Sequence, residues 1–231
     1  MSKGVLGFGD SFMWGESIYF YSELDNLPFG EQHEYHSSLI TEGMSQYKNK
    51  YRYIQLVCDY FDTWCNVKNV NGSNNTSNLE IISKFYNRDI VYEDKYHFKL
   101  NINDYKLIIF QFTSIYRDDK NINDLLIELD SYFNKFENNG IKVITLSWMS
   151  EIYNNDIYQT KYLDRHTNIV INEIEHTSFE ELIHNDSLNI TVKSDFEKNN
   201  LQTNDIHLNH KGNQCFANSI IKKLEKDNFT I

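Results

Sequence analysis

The chain is 231 residues long, 40% hydrophobic and 15% aromatic, which excludes a disordered or membrane-spanning class and fits one α/β domain with a full core. Its formal net charge of −11 repels phosphate backbones and anionic lipid surfaces, so neither nucleic acid nor a membrane is expected as a partner. Cys58, Cys65 and Cys215 are odd in number and lack metal-ligand spacing, which favours reduced thiols over a disulfide framework.

In chain order, residues 4–10 read as a short buried strand ending at Gly9-Asp10-Ser11. The apolar stretch before it is too short for a secretion signal, and no later run reaches bilayer length. The expected setting is a reducing cytoplasm, and the bias to Asn, Lys, Ile and Tyr suits an AT-rich genome such as a virus's. Residues 16–45 are irregular and aromatic, an insertion into the single domain 1–231. Tyr53, Ile54, Val57, Cys58 and Phe61 have helical spacing within 46–62. Residues 66–71 read as a second strand, followed by a polar loop and a helix from about Ser77 carrying Leu79, Ile82 and Phe85. Leu107 to Phe112 form a strong buried strand. Ile122, Leu125, Leu126, Leu129, Tyr132, Phe133 and Phe136 share one helix face, and Gly140 supplies the stop. Residues 141–148 are a further strand. Beyond them, 167–171 read as a last strand and 178–184 as a helix. The tail from about Asn209 to Lys226 is helical, with Phe216, Ile220 and Leu224 in line. Alternation of this kind predicts a parallel sheet covered by helices on both faces. Ligands of such sheets sit at the carboxyl ends of the strands.

The loop after the first strand holds Gly9-Asp10-Ser11-Phe12-Met13-Trp14-Gly15. A serine there stands at the rim of the sheet, where outward-pointing N–H groups can bind a developing oxyanion. Gly9 would let the chain turn tightly. The same tripeptide also suits a plain helix N-cap. A serine hydroxyl needs a base to become a nucleophile. Of the eight histidines, His207 has the informative setting, two residues after Asp205 and just before the last helix. A carboxylate that close can orient the ring; alternatively Asp205 or Asn209 caps the helix and His207 lies on the surface. His210 is a second candidate base, better suited to a surface role at the helix start. His33 and His36 have His-x-x-His spacing but no helical frame and no further ligands, so a solvated loop is expected and no metal.

Together the two motifs resemble the GDSL/SGNH hydrolase family in residue type, order and position. Gly9-Asp10-Ser11 through Gly15 is similar to its nucleophile block, and Asp205-Ile206-His207, with Leu208, Asn209, Gly212 and Ala217, to its last block. The resemblance runs from residue 4 to about 226 and is specific at the ends. It implies a three-layer α/β/α sandwich with a flavodoxin-like parallel sheet. It also implies a triad of Ser11, His207 and Asp205 that hydrolyses a carboxylic ester, without cofactor. The oxyanion donors would be the Ser11 N–H, Gly72 after the second strand, with Asn75 a rival, and the third-block residue. That block normally carries an asparagine; here Gln111-Phe112-Thr113-Ser114 places Thr113 there. Some divergent, phage-type relatives resemble this, with Thr-Ser and an arginine a few residues on, like Arg117. Asp10, Trp14, Asn75 and Ser114 are the expected substrate-side residues, with Trp14 walling the pocket. A small-molecule or carbohydrate ester, for example an acetylated sugar, is the expected substrate. The competing readings are a catalytically weak carbohydrate-binding module and an O-acetyltransferase using the same triad.

Overall fold

The computed structural model describes residues 3–15, 21, 42–68, 73–87, 101–198 and 205–231. The predicted insertion therefore lies mostly outside the described residues. The elements are β1 (Gly4–Phe8), α1 (Ser11–Trp14), α2 (Glu42–Tyr51), α3 (Tyr53–Tyr60), β2 (Cys65–Val67), α4 (Asn75–Asn87), β3 (Tyr105–Phe112), α5 (Ile122–Asn138) and β4 (Lys142–Ser147). There follow α6 (Ser150–Tyr153), α7 (Asp156–Lys161), β5 (Ile169–Ile171), β6 (Ile174–His176), α8 (Glu180–Ile183), α9 (Val192–Lys198) and α10 (His210–Lys226).

The main sheet is parallel, in the order β2-β1-β3-β4. That is the flavodoxin-like arrangement, in which connections leave β1 and β3 in opposite directions and open a crevice at their carboxyl ends. Strand side chains alternate between faces, and the core divides accordingly. Val5, Leu107, Ile109, Ile144 and Leu146 pack with Ile54 and Val57 of α3 and Phe216 and Ile220 of α10. Leu6, Ile108, Phe110 and Val143 pack on the other face with Leu79 and Ile82 of α4 and Leu125, Leu129 and Phe133 of α5. Helices thus cover both faces, making the expected three layers. Among the described residues, no helix is long and apolar enough to cross a membrane, and the three cysteines are free thiols.

Two expectations are corrected. The helix predicted over 46–62 is two helices, because Arg52 between them is extended (φ −68°, ψ 145°). Arg52 offers no side-chain cap. Asn213 Oδ1 of α10 takes the Tyr53 N–H instead, at 2.8 Å, so α3 starts afresh with a cap supplied from a distant helix. The strand predicted at 167–171 does not extend the main sheet. β5 pairs antiparallel with β6 across Asn172 and Glu173, both at positive φ, as a two-residue hairpin of the primed type requires. Contact with β4 is reduced to one parallel bridge, Thr145 to His166.

Candidate active site

The carboxyl end of β1 leads into Asp10, whose extended backbone (φ −133°, ψ −152°) makes it the N-cap of α1. Its Oδ1 accepts the Phe12 N–H at 3.1 Å. Because the neighbouring carboxylate does the capping, the Ser11 hydroxyl is left for another partner. The left-handed glycine of this block is Gly15 (φ 78°), which ends the turn by donating back to the Phe12 and Ser11 carbonyls. Gly9 has no positive φ, so the tight turn expected of it belongs to Gly15.

That partner of Ser11 comes from the other end of the chain. Ser11 Oγ lies 2.8 Å from His207 Nε2, and His207 Nδ1 lies 2.8 Å from Asp205 Oδ1. The same carboxylate oxygen accepts the His207 backbone N–H at 2.9 Å, as an Asx-turn does. The two-residue spacing therefore lets one oxygen hold both the backbone and the ring of His207. Residues around His207 are themselves anchored. Val192 donates its N–H to the His207 carbonyl and Lys193 to that of Asp205, at 2.9 and 2.8 Å. Asn209, not Asp205, caps α10, through Gly212 N–H at 2.9 Å. A Cβ on Gly212 would collide with the Ile190 carbonyl oxygen, so glycine lets α10 lie close against this segment.

Other expected residues divide. Thr113 ends up just past β3, fully buried, with a hydroxyl that has no protein partner. Asn75 is the first residue of α4, and its amide is used up by the protein. Oδ1 accepts the Thr113 N–H at 2.7 Å, while Nδ2 donates to the Thr113 carbonyl at 3.1 Å and to Asp118 at 2.6 Å. Its side chain clamps the end of β3 and has no donor left for a substrate, contrary to the expected role. Asp10 is likewise turned inward. Besides Phe12, it accepts Gln111 Nε2 at 2.5 Å and has Arg117 3.6 Å away. Burial raises its pKa, against the pull of Phe12, Gln111 and Arg117. Ser114 follows Thr113, half-buried and making no capping bond. Trp14 closes α1; its side chain and Gly72 lie outside the described residues. His210 is engaged by tyrosines and is not a free surface residue. Its Nε2 is 3.1 Å from Tyr47 Oη, its ring meets Tyr21 and Tyr51 edge-on, and burial lowers its pKa.

Several residues at the site were not singled out from the sequence. The Phe12 ring supports His207 at 4.8 Å between centroids and is itself packed on Trp148 at 4.3 Å. Gln111, Tyr53 and Asn213 are buried polar side chains behind the serine and histidine blocks. A glutamine inside the apolar run Leu107 to Phe112 was a readable signal, since a buried amide requires partners. Among the described residues, no group of three or more His, Cys, Asp or Glu is placed to hold a metal; His33 and His36 lie outside them.

The arrangement is a hydroxyl, an imidazole and a carboxylate in hydrogen-bonded series, the geometry from which a base activates a nucleophile. No protein-family model and no curated protein sequence matches the chain. Solved structures do. A family two carbohydrate esterase from Cellvibrio japonicus aligns with a TM-score of 0.55 and 10% identity over 97% of this chain and 61% of that one. The psychrotrophic esterase EstA from Pseudoalteromonas sp. aligns at 0.51 and 10%, over 98% and 99%. A family two carbohydrate esterase from Clostridium thermocellum, in complex with cellohexaose, aligns at 0.52 and 10%, over 98% and 64%. At such identities the likeness is one of fold: the chain has the three-layer α/β/α fold of these esterases.

Proposed function

We propose that the chain is a divergent SGNH-type serine esterase that cleaves a carboxylic ester through an acyl-enzyme. The observation that carries the reading is the Ser11–His207–Asp205 series, 2.8 Å at each step. Ser11 Oγ attacks the ester carbonyl as His207 Nε2 takes its proton, and Asp205 holds the imidazolium and its tautomer. The tetrahedral oxyanion is met by the Ser11 N–H, with Gly72 and the Thr113 hydroxyl as the further donors that the family resemblance implies. His207 returns the proton to the leaving alkoxide. Water, activated by the same imidazole, then releases the acid and frees Ser11. An acetylated carbohydrate is the substrate class we favour, supported by the fold likeness to carbohydrate esterases.

The test is labelling by a fluorophosphonate probe together with aryl-acetate and acetyl-sugar turnover. The wild-type chain is expected to be labelled at Ser11, and Ser11→Ala or His207→Ala to abolish both signals. Folded wild-type protein that neither labels nor turns over ester would refute the reading.

A further inference from the structure

Behind the site lies a chain of buried side chains that the triad does not use. Asp10, Gln111, Tyr53 and Asn213 are each 2% exposed or less, so each polar atom needs a protein partner. Gln111 Nε2 donates to Asp10 Oδ1 at 2.5 Å. Tyr53 Oη donates to Gln111 Oε1 at 2.7 Å, which leaves the amide only one way to face: its NH2 toward Asp10. The Tyr53 backbone N–H donates to Asn213 Oδ1 at 2.8 Å. Asn213 Nδ2 in turn donates to the Leu208 and Asn209 carbonyls at 3.1 and 3.0 Å. The series starts at the cap that seats Ser11 and ends on the two residues that follow His207. It crosses β3, α3 and α10 to do so.

We propose that Gln111, Tyr53 and Asn213 are positioning residues that set the Ser11 block and the His207 block against each other. This rests on the esterase reading above. Packing alone does not require them. An apolar residue at position 111 would suit the strand, and none of the three has a place in the acyl-transfer chemistry. Their polar groups are matched end to end, and the two ends are the residues flanking the nucleophile and the base. A misplacement of about 1 Å between reacting groups costs on the order of 100-fold in rate, which is the scale on which such a series acts.

Two variants test it. Tyr53→Phe keeps the ring and removes one bond. Gln111→Glu keeps the shape but sets a carboxylate against Asp10, so a donor returns only when the pair takes up a proton. Arg117 and His207 also act on Asp10 electrostatically, and Tyr53 stands behind position 111. Those groups are common to Gln111→Glu and wild type, so the rate ratio between the two isolates the new pair. With aryl acetate, Tyr53→Phe is expected to lower kcat about 10-fold with KM within about twofold. Gln111→Glu is expected to lower kcat about 100-fold at neutral pH, with the ratio to wild type recovering as pH falls. Folded variants with wild-type kcat, or a Gln111→Glu ratio flat with pH, would overturn the positioning role. If Gln111→Glu does not fold, Tyr53→Phe and Asn213→Asp decide on kcat against KM at unchanged Tm. A wild-type chain that is neither labelled nor active overturns the esterase reading and this one with it. An active wild type with equally active variants overturns this one alone.

Discussion

The sharpest test of the proposed triad is Asp205→Asn compared with Asp205→Ala. In many triads an asparagine in place of the acid is ruinous because the amide can turn its NH2 toward the imidazole and enforce the wrong tautomer, a loss of about 10⁴ in kcat. Here the geometry argues for a milder outcome. Asp205 Oδ1 accepts both the His207 N–H and Nδ1, at 2.9 and 2.8 Å. An asparagine oxygen held by the same backbone N–H would still accept from Nδ1, and the amide NH2 would face away from the ring. What is lost is the charge that stabilises the imidazolium. Two unit charges about 4 Å apart interact by about 4 kcal/mol at an effective dielectric of about 20. The side chains of His207 and Asp205 are 24% and 19% exposed, so solvent screening reduces this to about 2–3 kcal/mol. That corresponds to about 30- to 150-fold in kcat. Asp205→Ala loses the charge, the ring contact and the backbone clamp together, and is expected to fall by 10³-fold or more, on the order seen when triad members are removed. The assay is aryl-acetate turnover, with the second-order rate of fluorophosphonate inactivation as a substrate-independent measure. Equal and large losses in the two variants would refute the one-oxygen account. No loss in either would remove Asp205 from the site.

Three further outcomes are expected. Thr113→Val removes a buried hydroxyl that has no protein partner; Tm should hold or rise while kcat falls about 100-fold with KM little changed, and an unchanged kcat would remove Thr113 from the oxyanion site. Gly212→Ala forces a methyl group onto the Ile190 carbonyl and should cost about 1–3 kcal/mol in urea unfolding; a neutral result would show that the Asn209 segment yields. Burial lowers the pKa of His166 from 6.5 to about 4. The unfolded chain thus binds more protons between those values, and stability should fall as pH drops from about 6.5 toward 4, by roughly 3 kcal/mol in full. His166→Gln should flatten that part of the stability–pH curve, and an unchanged slope would assign it to other groups.

The main sheet was legible because β1, β3 and β4 are buried along nearly their whole length and spell themselves out as apolar runs, Leu107 to Phe112 above all. Helix α5 was legible through its single apolar stripe. The break at Arg52 was not, because its cause sits on Asn213, 161 positions further on (213 − 52). The small β5–β6 hairpin was missed for a local reason: its turn places Glu173 at positive φ, which composition does not advertise. At the site, the grouping of Ser11, Asp205 and His207, which lie in hydrogen-bonded series, was readable because each stands beside an element boundary, where sequence motifs are most local; their catalytic role is the proposal. Asp10 and Asn75 were misjudged because polar residues in a motif invite a substrate role, whereas both turn inward to fasten strand ends. Which way a buried carboxylate or amide faces depends on partners such as Gln111 and Asp118, and spacing along the chain does not encode that.

The division of labour between Asp10 and Ser11 has a practical consequence. Since the cap of α1 rests on the carboxylate and not on the hydroxyl, the serine can be deleted without unravelling the turn that presents it. If the proposed esterase chemistry holds, Ser11→Ala should therefore be an inert but intact receptor, able to hold an uncleaved ester at the mouth of the sheet. Fished through a pool of acylated glycans, that protein would report the identity of its own cargo by what stays bound.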